Sequence, residues 1–247
     1  CHNGQGMEAP VAAALGKVDA FNLFDPYWSD AEYDIYYRIL NCGIQLPAST
    51  GSDWYICSAN RVYTHSDSEF EYTNWLNSLK AGKTFITNGP YISLILNDHV
   101  PGDELVTTPG QELTATVEWK SYYPIQLVEI VQNGNVISSQ EYGPPQKSGI
   151  IELEFEVLHD SWVAARLFSG VRDSYLQPQF AHTSPVYVLT GKDAPERKTS
   201  ASEFVRKIDE SIGWVQRKGR FYNDYQRTEI QNLFREGQER YKEWAGS

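Results

Sequence analysis

Residues Leu46 to Tyr63, LPASTGSDWYICSANRVY, form the stretch around which the chain is organised. An apolar start is followed by small residues, by Asp53 and, eight positions later, by Arg61. Small residues before an acid allow a sharp turn that presents the carboxylate at the mouth of a sheet or barrel, where α/β enzymes bind their ligands. Asp53 is therefore the first candidate for chemistry. The alternative is an ordinary turn in which Asp53 caps a helix.

The composition is that of an acidic globular protein. The chain has 247 residues, of which 41% are hydrophobic, and this is enough for one large domain or two ordinary ones. Lys and Arg number 21 and Asp and Glu 32, so the formal net charge is -11. A negative field disfavours nucleic acid and anionic membranes as partners, although it can concentrate divalent cations. No apolar run approaches the length of a membrane span.

Three cysteines, Cys1, Cys42 and Cys57, are too few for a disulfide framework and form no C-x-x-C pair, so we expect free buried thiols. The chain opens on Cys1 rather than on methionine, and we expect it to be the C-terminal portion of a longer protein. An export signal would then lie upstream. The sequence therefore does not determine the compartment, and it is compatible with a periplasmic or other extracytoplasmic location.

The sequence before residue 98 alternates between helical and strand patterns. The helical segments are Ala9 to Leu15, Asp30 to Leu40 and Ser66 to Gly82, and the strand segments are Val18 to Phe24, Leu46 to Ser49 and Tyr91 to Leu96. Ser66 and Ser68 each precede a glutamate by three positions, which predicts that the third helix begins there. Such alternation is typical of an α/β architecture, which we expect for residues 1–97.

Beyond Pro101-Gly102-Asp103 the hydrophobic period changes from that of a helix to that of a strand. Asn133-Gly134 is the strongest short hairpin signal in the chain. Several short alternating segments predict an antiparallel β-sandwich over residues 98–192. From Ser200 the helical period returns, so residues 193–247 are expected to form two helices that pack on the body.

The five histidines have no metal-binding spacing such as H-x-H or H-E-x-x-H, and G-x-S-x-G and a Gly-rich phosphate loop are absent. His182 precedes an apolar strand pattern, and we expect a hydrogen-bonded structural role for it. His2 differs, because it stands beside glycine-rich backbone just before a helix, which leaves an imidazole exposed at a strand end.

Five segments carry a resemblance to a known family. They are His2 to Asn22 (HNGQGMEAPVAAALGKVDAFN), Tyr36 to Asp53 (YYRILNCGIQLPASTGSD), Asn60 to Tyr63 (NRVY), Trp75 to Pro90 (WLNSLKAGKTFITNGP) and Ala181 to Val188 (AHTSPVYV). In this order they resemble the C-terminal half of the CehA/McbA-like (carbaryl-hydrolase-like) metallohydrolases, which belong to the PHP (polymerase and histidinol phosphatase) superfamily.

The resemblance implies a distorted (β/α)7 barrel, of which residues 1–97 would be the C-terminal part, followed by the β-sandwich and the terminal helices. It also implies a cluster of divalent metal ions (zinc, manganese or iron) with metal-bound water as the nucleophile. By position His2 matches a metal-binding histidine, Asp53 matches the aspartate of the final Asp-x-His motif, and Arg61 matches a basic residue that binds the substrate. Tyr55 stands where that motif has its second histidine, and tyrosine is a poor ligand for zinc or manganese.

Two functions follow from these residues. The leading interpretation is the C-terminal portion of a divalent-metal-dependent hydrolase that cleaves an ester, carbamate or phosphoester bond in a small-molecule substrate. The remaining ligands would belong to a missing N-terminal half, so the fragment alone is expected to be inactive. The alternative is a non-catalytic PHP-like protein whose β-sandwich binds carbohydrate or another protein.

Overall fold

The computed structural model of the protein describes residues 6–23, 29–51, 58–65 and 69–246, and for residues 29–32 it describes the backbone alone. Five helices occur in these ranges: α1 (Glu8–Ala14), α2 (Ser29–Asn41), α3 (Tyr72–Lys80), α4 (Pro195–Lys218) and α5 (Asp224–Gly246). The strands in these ranges are β1 (Phe21–Asn22), β2 (Ala48–Ser49), β3 (Arg61–Thr64), β4 (Thr84–Thr87), β5 (Tyr91–Leu96), β6 (Glu104–Val106), β7 (Gln111–Gln132), β8 (Asn135–Val157), β9 (Ser161–Arg172), β10 (Pro178–Thr183) and β11 (Val186–Leu189).

A short β-α-β unit lies near the N-terminus. β1 and β2 are parallel, with Phe21 opposite Ala48, and α2 is the crossover that a parallel pair requires. α2 buries one face because apolar side chains such as Tyr36 and Ile39 recur at helical spacing. The carboxyl ends of the two strands lie at the same edge of this small sheet, and β2 leads from there towards Asp53.

The other nine strands form one sheet in the order β3-β4-β10-β9-β11-β6, and β7 pairs with β5, β8 and β9. β7 and β8 form a long hairpin. Its turn residues Asn133 and Gly134 have φ angles of 49° and 86°, the positive values that an Asn-Gly hairpin turn requires, so this prediction is confirmed. The register of β7 shifts between Lys120 and Ile125, and its first half pairs with β5 whereas its second half pairs with β9. The sheet therefore folds over on itself.

Two hydrophobic clusters lie on opposite faces of the sheet, because side chains alternate between faces along each strand. Ala165 and Ala181 belong to the cluster inside the folded sheet, which also contains Trp119. Their neighbours Ala164 and Phe180 belong to the cluster that joins the sheet to α1, α2, α4 and α5. The helices thus cover one face of the sheet.

The terminal helices close the second cluster. The rings of Phe204 on α4 and Tyr241 on α5 have centroids 4.7 Å apart, and the Tyr241 hydroxyl donates a hydrogen bond of 2.8 Å to the Pro10 carbonyl on α1. Gly237 lets α5 approach α1 closely, since a Cβ atom there would lie 3.0 Å from Cγ1 of Val11. None of the helices in the described ranges has both the length and the apolar character needed to cross a lipid bilayer.

The predicted fold class, the C-terminal part of a (β/α)7 barrel followed by an antiparallel β-sandwich, is wrong. Over the described residues the protein is mostly one antiparallel sheet with helices, and no closed barrel is formed. β3, β4 and β5 precede residue 98 and yet belong to the same sheet as the later strands. The alternating pattern failed as a guide because β3 and β4, although separated by α3, pair in antiparallel fashion, and β1 and β2 pair over only two residues each.

Candidate functional site

Of the three predicted site residues, Arg61 alone lies in the part of the chain that the structure describes. His2 and Asp53 fall outside the described residues, as does Tyr55. Arg61 is exposed at the start of β3, and its Nη1 donates hydrogen bonds to the carbonyl oxygens of Asn60 (2.7 Å) and Ser58 (3.2 Å). Among the described residues its Nε and Nη2 groups make no hydrogen bond.

The carboxyl end of β2 is tied to the residues just before Arg61. The buried side chain of Asn60 donates from Nδ2 to the Thr50 hydroxyl and to the Gly51 carbonyl, at 3.3 Å each. Gly51 is two positions before Asp53. The predicted substrate residue therefore begins its strand beside the segment that leads to the predicted metal ligand.

Buried hydroxyl groups anchor β2 to the main sheet. The Ala48 amide donates to Oγ of Ser184 (2.9 Å), and the Thr84 hydroxyl donates to the Ala48 carbonyl (3.1 Å). The hydroxyl groups of Thr84 and Ser184 lie 2.6 Å apart, within hydrogen-bond distance. The sheet thus fixes the position of β2, and through β2 it fixes the edge where Asn60 and Arg61 lie.

A second polar cluster joins α2 to the centre of the sheet. His182 on β10 is fully buried, with Nδ1 2.6 Å from the Thr183 carbonyl and Nε2 2.8 Å from the Tyr37 hydroxyl. A carbonyl can only accept, so Nδ1 carries the proton and Nε2 accepts from Tyr37. Arg166 donates to the same hydroxyl (3.3 Å) and to Glu129 (2.7 Å).

The electrostatics of this cluster keep His182 neutral. Burial, and secondly the nearby Arg166 cation, lower the pKa of His182 to about 3. Burial also raises the pKa of Tyr37 well above its ordinary value. Both ring nitrogens of His182 are engaged, so the predicted structural role of this histidine is confirmed.

The described residues do not fit a divalent metal by themselves. In residues 6–23, 29–51, 58–65 and 69–246 no three His, Cys, Asp or Glu side chains come together in a group that could hold an ion. Cys42 is a free buried thiol, as predicted, and burial raises its pKa to about 12, so it is not a thiolate ligand at neutral pH. The metal prediction therefore depends on His2 and Asp53.

A groove that sequence reasoning missed lies between β4 and β5. Tyr63 and Phe85 stand opposite each other on β3 and β4 with their rings stacked at 5.1 Å, and the edge of Tyr91 meets Phe85 at 5.5 Å. These three residues line the groove, which has a volume of about 670 Å³, and we call it the aromatic groove. Tyr63 and Arg61 leave the same face of β3, since they are two positions apart. In the sequence these three aromatic residues lie in separate segments. They come together only through the pairing of strands, which the sequence did not reveal.

Comparisons of the chain with protein-family models, with curated proteins and with solved structures find no match. The functional interpretation therefore depends on the residues that carry the resemblance and on two geometric features. One is the attachment of Asn60 and Arg61 to the end of β2, and the other is the aromatic groove beside them.

Proposed function

We propose that the chain is the C-terminal portion of a divalent-metal-dependent hydrolase, in which His2 and Asp53 are metal ligands and Arg61 binds the substrate. The resemblance to the CehA/McbA-like metallohydrolases supplies the family and the reaction class, which covers ester, carbamate and phosphoester bonds. The geometric support is the pair of hydrogen bonds from Asn60 to Thr50 and Gly51.

The role of Arg61 follows from its environment. Its guanidinium is exposed, its Nη1 is held by two backbone carbonyls, and its other donors face no acceptor among the described residues. A planar guanidinium in a fixed orientation suits carboxylate, carbamate or phosphate oxygens, which accept two parallel hydrogen bonds. Arg61 would thus orient the polar part of the substrate, and a bound divalent ion would polarise the bond to be cleaved.

Metal content tests the proposed ligands. The full-length protein is purified as wild type and as the His2→Ala and Asp53→Ala variants, and bound zinc, manganese and iron are measured by inductively coupled plasma mass spectrometry. We expect each change to lower metal affinity by at least about tenfold, since even residues that only support a ligand contribute this much. His65→Ala and Asp98→Ala, two exposed residues, are the matched controls and should keep wild-type occupancy. Unchanged occupancy in both ligand variants would overturn the assignment.

Arg61→Ala separates binding of metal from binding of substrate. We expect this variant to keep its metal and to lose most turnover of a carboxylate-bearing ester, whereas Arg61→Lys should recover only part of it because an ammonium cannot donate bidentately. If Arg61→Ala turns over that ester as fast as the wild type, then the residue does not bind the substrate.

The second candidate is a non-catalytic binding protein, and the aromatic groove favours it. Its rings are partly exposed, and Tyr55 replaces a histidine of the resembling motif. This candidate predicts a ligand that binds the metal-free protein and that is released unchanged. Detection of a cleaved product by mass spectrometry would exclude it.

A further inference from the structure

The aromatic groove continues at one end into a second depression. Gly89 and Tyr91 border both, and the second depression, of about 430 Å³, is also lined by Lys120, Tyr122 and Lys147. Lys120 lies directly opposite Tyr91 on the neighbouring strand β7. We call Lys120, Tyr122 and Lys147 the basic surface.

The basic surface is a local concentration of positive charge on a protein whose net charge is -11. Lys120 and Lys147 are exposed, and neither forms an ion pair with a residue that the structure describes. The Lys147 ammonium lies 5.3 Å from the ring centroid of Tyr122, so a cation–π contact holds it at this place. Two lysine side chains that line one depression favour a ligand with a localised negative charge.

The aromatic side chains of the groove are partly exposed to solvent. Tyr63 is 51% exposed and Tyr91 45% exposed, although both rings contact Phe85. The face of an aromatic ring carries the negative part of its quadrupole and attracts positively polarised C–H groups. Pyranose rings present such C–H groups on their flat faces, and therefore sugar rings can stack on Tyr63 and Tyr91.

Polar groups on the wall of the groove distinguish sugars from other ligands. Ser93 and Glu118 stand opposite each other on β5 and β7, next to the pair of Tyr91 and Lys120 on the same face. A carboxylate accepts hydrogen bonds from hydroxyl groups, so Glu118 favours a ligand with several hydroxyl groups, such as a sugar. From Tyr91 to Ile95 the wall extends about 13 Å at the usual strand rise, which is long enough for more than one linked ring.

We propose that the aromatic groove and the basic surface together bind an acidic oligosaccharide, with pyranose rings stacked on Tyr63 and Tyr91 and a carboxylate between Lys120 and Lys147. This inference rests on the binding function proposed above and names its ligand class. It is also compatible with a hydrolase, because Arg61 leaves the same face of β3 as Tyr63 and the groove would then hold the remainder of the substrate.

Calorimetric titration tests the proposal with two uronic-acid tetramers, tetragalacturonate and tetramannuronate, and with their carboxyl-reduced neutral counterparts. We expect at least one acidic tetramer to bind and its neutral counterpart to bind at least about fivefold more weakly. Tyr91→Ala should weaken binding about tenfold, which is about 1.4 kcal/mol and lies within the range of one aromatic contact. Tyr225→Ala, on an exposed tyrosine of α5, is the matched control and should leave the affinity unchanged.

The double variant with Lys120→Ala and Lys147→Ala should remove the preference for the acidic tetramer and leave binding of the neutral one unchanged, whereas Lys198→Ala should have no effect. The altered side chains are exposed, and equal melting temperatures will verify that every variant is folded. Failure of both acidic tetramers to bind, or equal binding of the neutral ones, overturns the proposal. Binding of an extended peptide along the edge of β5 that ignores the lysine changes would identify a peptide site instead and also overturn it.

Metal content is measured on the same preparations, so that the two proposals can fail separately. Changes in the groove should leave metal occupancy unchanged, because none of the groove residues is a proposed metal ligand. If the tetramers do not bind as expected but the metal measurements agree with the proposal, only the oligosaccharide proposal is rejected. If the tetramers bind but metal occupancy is unchanged in His2→Ala and Asp53→Ala, only the assignment of the metal ligands is rejected.

Discussion

Acid is expected to destabilise this protein through His182. The pKa of this buried imidazole is about 3 in the folded protein, against 6.5 for an ordinary histidine. Below pH 6.5 His182 therefore becomes protonated in the unfolded chain, whereas in the folded protein it stays neutral until the pH falls to about 3. The free energy of unfolding consequently falls as the pH falls between these two values, and the loss ends below about pH 3.

The size of the effect follows from the two pKa values. Each pH unit inside this window costs about 1.4 kcal/mol, and between pH 7 and pH 5 the contribution of His182 amounts to about 2 kcal/mol. For a chain of 247 residues this corresponds to a melting temperature lower by about 4 °C. The groups that face the imidazole do not offset this loss: Tyr36 and Tyr37 stay neutral because burial raises the pKa of each, and Arg166 stays charged and repels the added proton.

Urea unfolding at pH 5, 6 and 7 measures this contribution when the free energy of unfolding of the wild type is compared with that of His182→Gln at each pH. His182→Gln removes the titrating group and keeps an acceptor for the Tyr37 hydroxyl. Between pH 7 and pH 5 its free energy of unfolding should therefore fall by about 2 kcal/mol less than that of the wild type. His65→Gln, on an exposed histidine, is the control for replacing a histidine at the surface. Equal pH dependence of wild type and His182→Gln, within about 0.5 kcal/mol, would refute the reasoning. Should His182→Gln not fold, the imidazole resonance of His182 in wild-type protein gives the same answer, because it should not shift between pH 5 and pH 8.

Three further changes test the packing around this site. Tyr37→Phe should lower the free energy of unfolding by about 1–3 kcal/mol, because the buried Nε2 of His182 then loses its hydrogen-bond donor. Tyr222→Phe, on an exposed tyrosine, is the control in the same urea titration. Gly237→Ala should cost about 1–3 kcal/mol in thermal unfolding, since the new methyl group would press on Val11, and a variant as stable as the wild type would contradict the close contact. Cys42 should resist a thiol reagent in the native protein and react after unfolding, as peptide mapping by mass spectrometry can show; rapid native labelling at this position would contradict its burial and raised pKa.

Local signals in the sequence predicted local structure. The helix expected over Asp30 to Leu40 is α2, and Asn133-Gly134 is the turn of the longest hairpin. The helix expected over Ser66 to Gly82 is α3, but it begins only at Tyr72, with Glu71 as its N-cap, and residues 69–71 are not helical. The predicted capping serines, Ser66 and Ser68, lie outside the described residues. These successes share one cause, which is that the interactions concerned join residues close together in the chain.

Long-range pairing was not predictable from the sequence. β4 lies between β3 and β10, so Thr87 pairs both with Arg61, 26 positions before it, and with Ala181, 94 positions after it. Periodicity reports which face of a strand is buried and says nothing about its partner. The alternating pattern therefore gave only an α/β expectation for residues 1–97, and the barrel came from the resemblance. The aromatic groove was missed for the same reason, since Tyr63, Phe85 and Tyr91 come together only through this pairing. Asp53 and His2 were singled out by their local sequence, whereas the metal-ligand roles of both and the substrate role of Arg61 came from the resemblance. Of the three residues the structure describes Arg61 alone.

The hydrogen bond from Tyr241 to Pro10 joins residues that are 231 positions apart. During biosynthesis α1 therefore emerges from the ribosome long before α5, the helix that covers its apolar side. Until α5 has been synthesised, the side of Val11 that packs against Gly237 lacks this cover, so we expect a chaperone that shields short apolar helices to raise the yield of native protein.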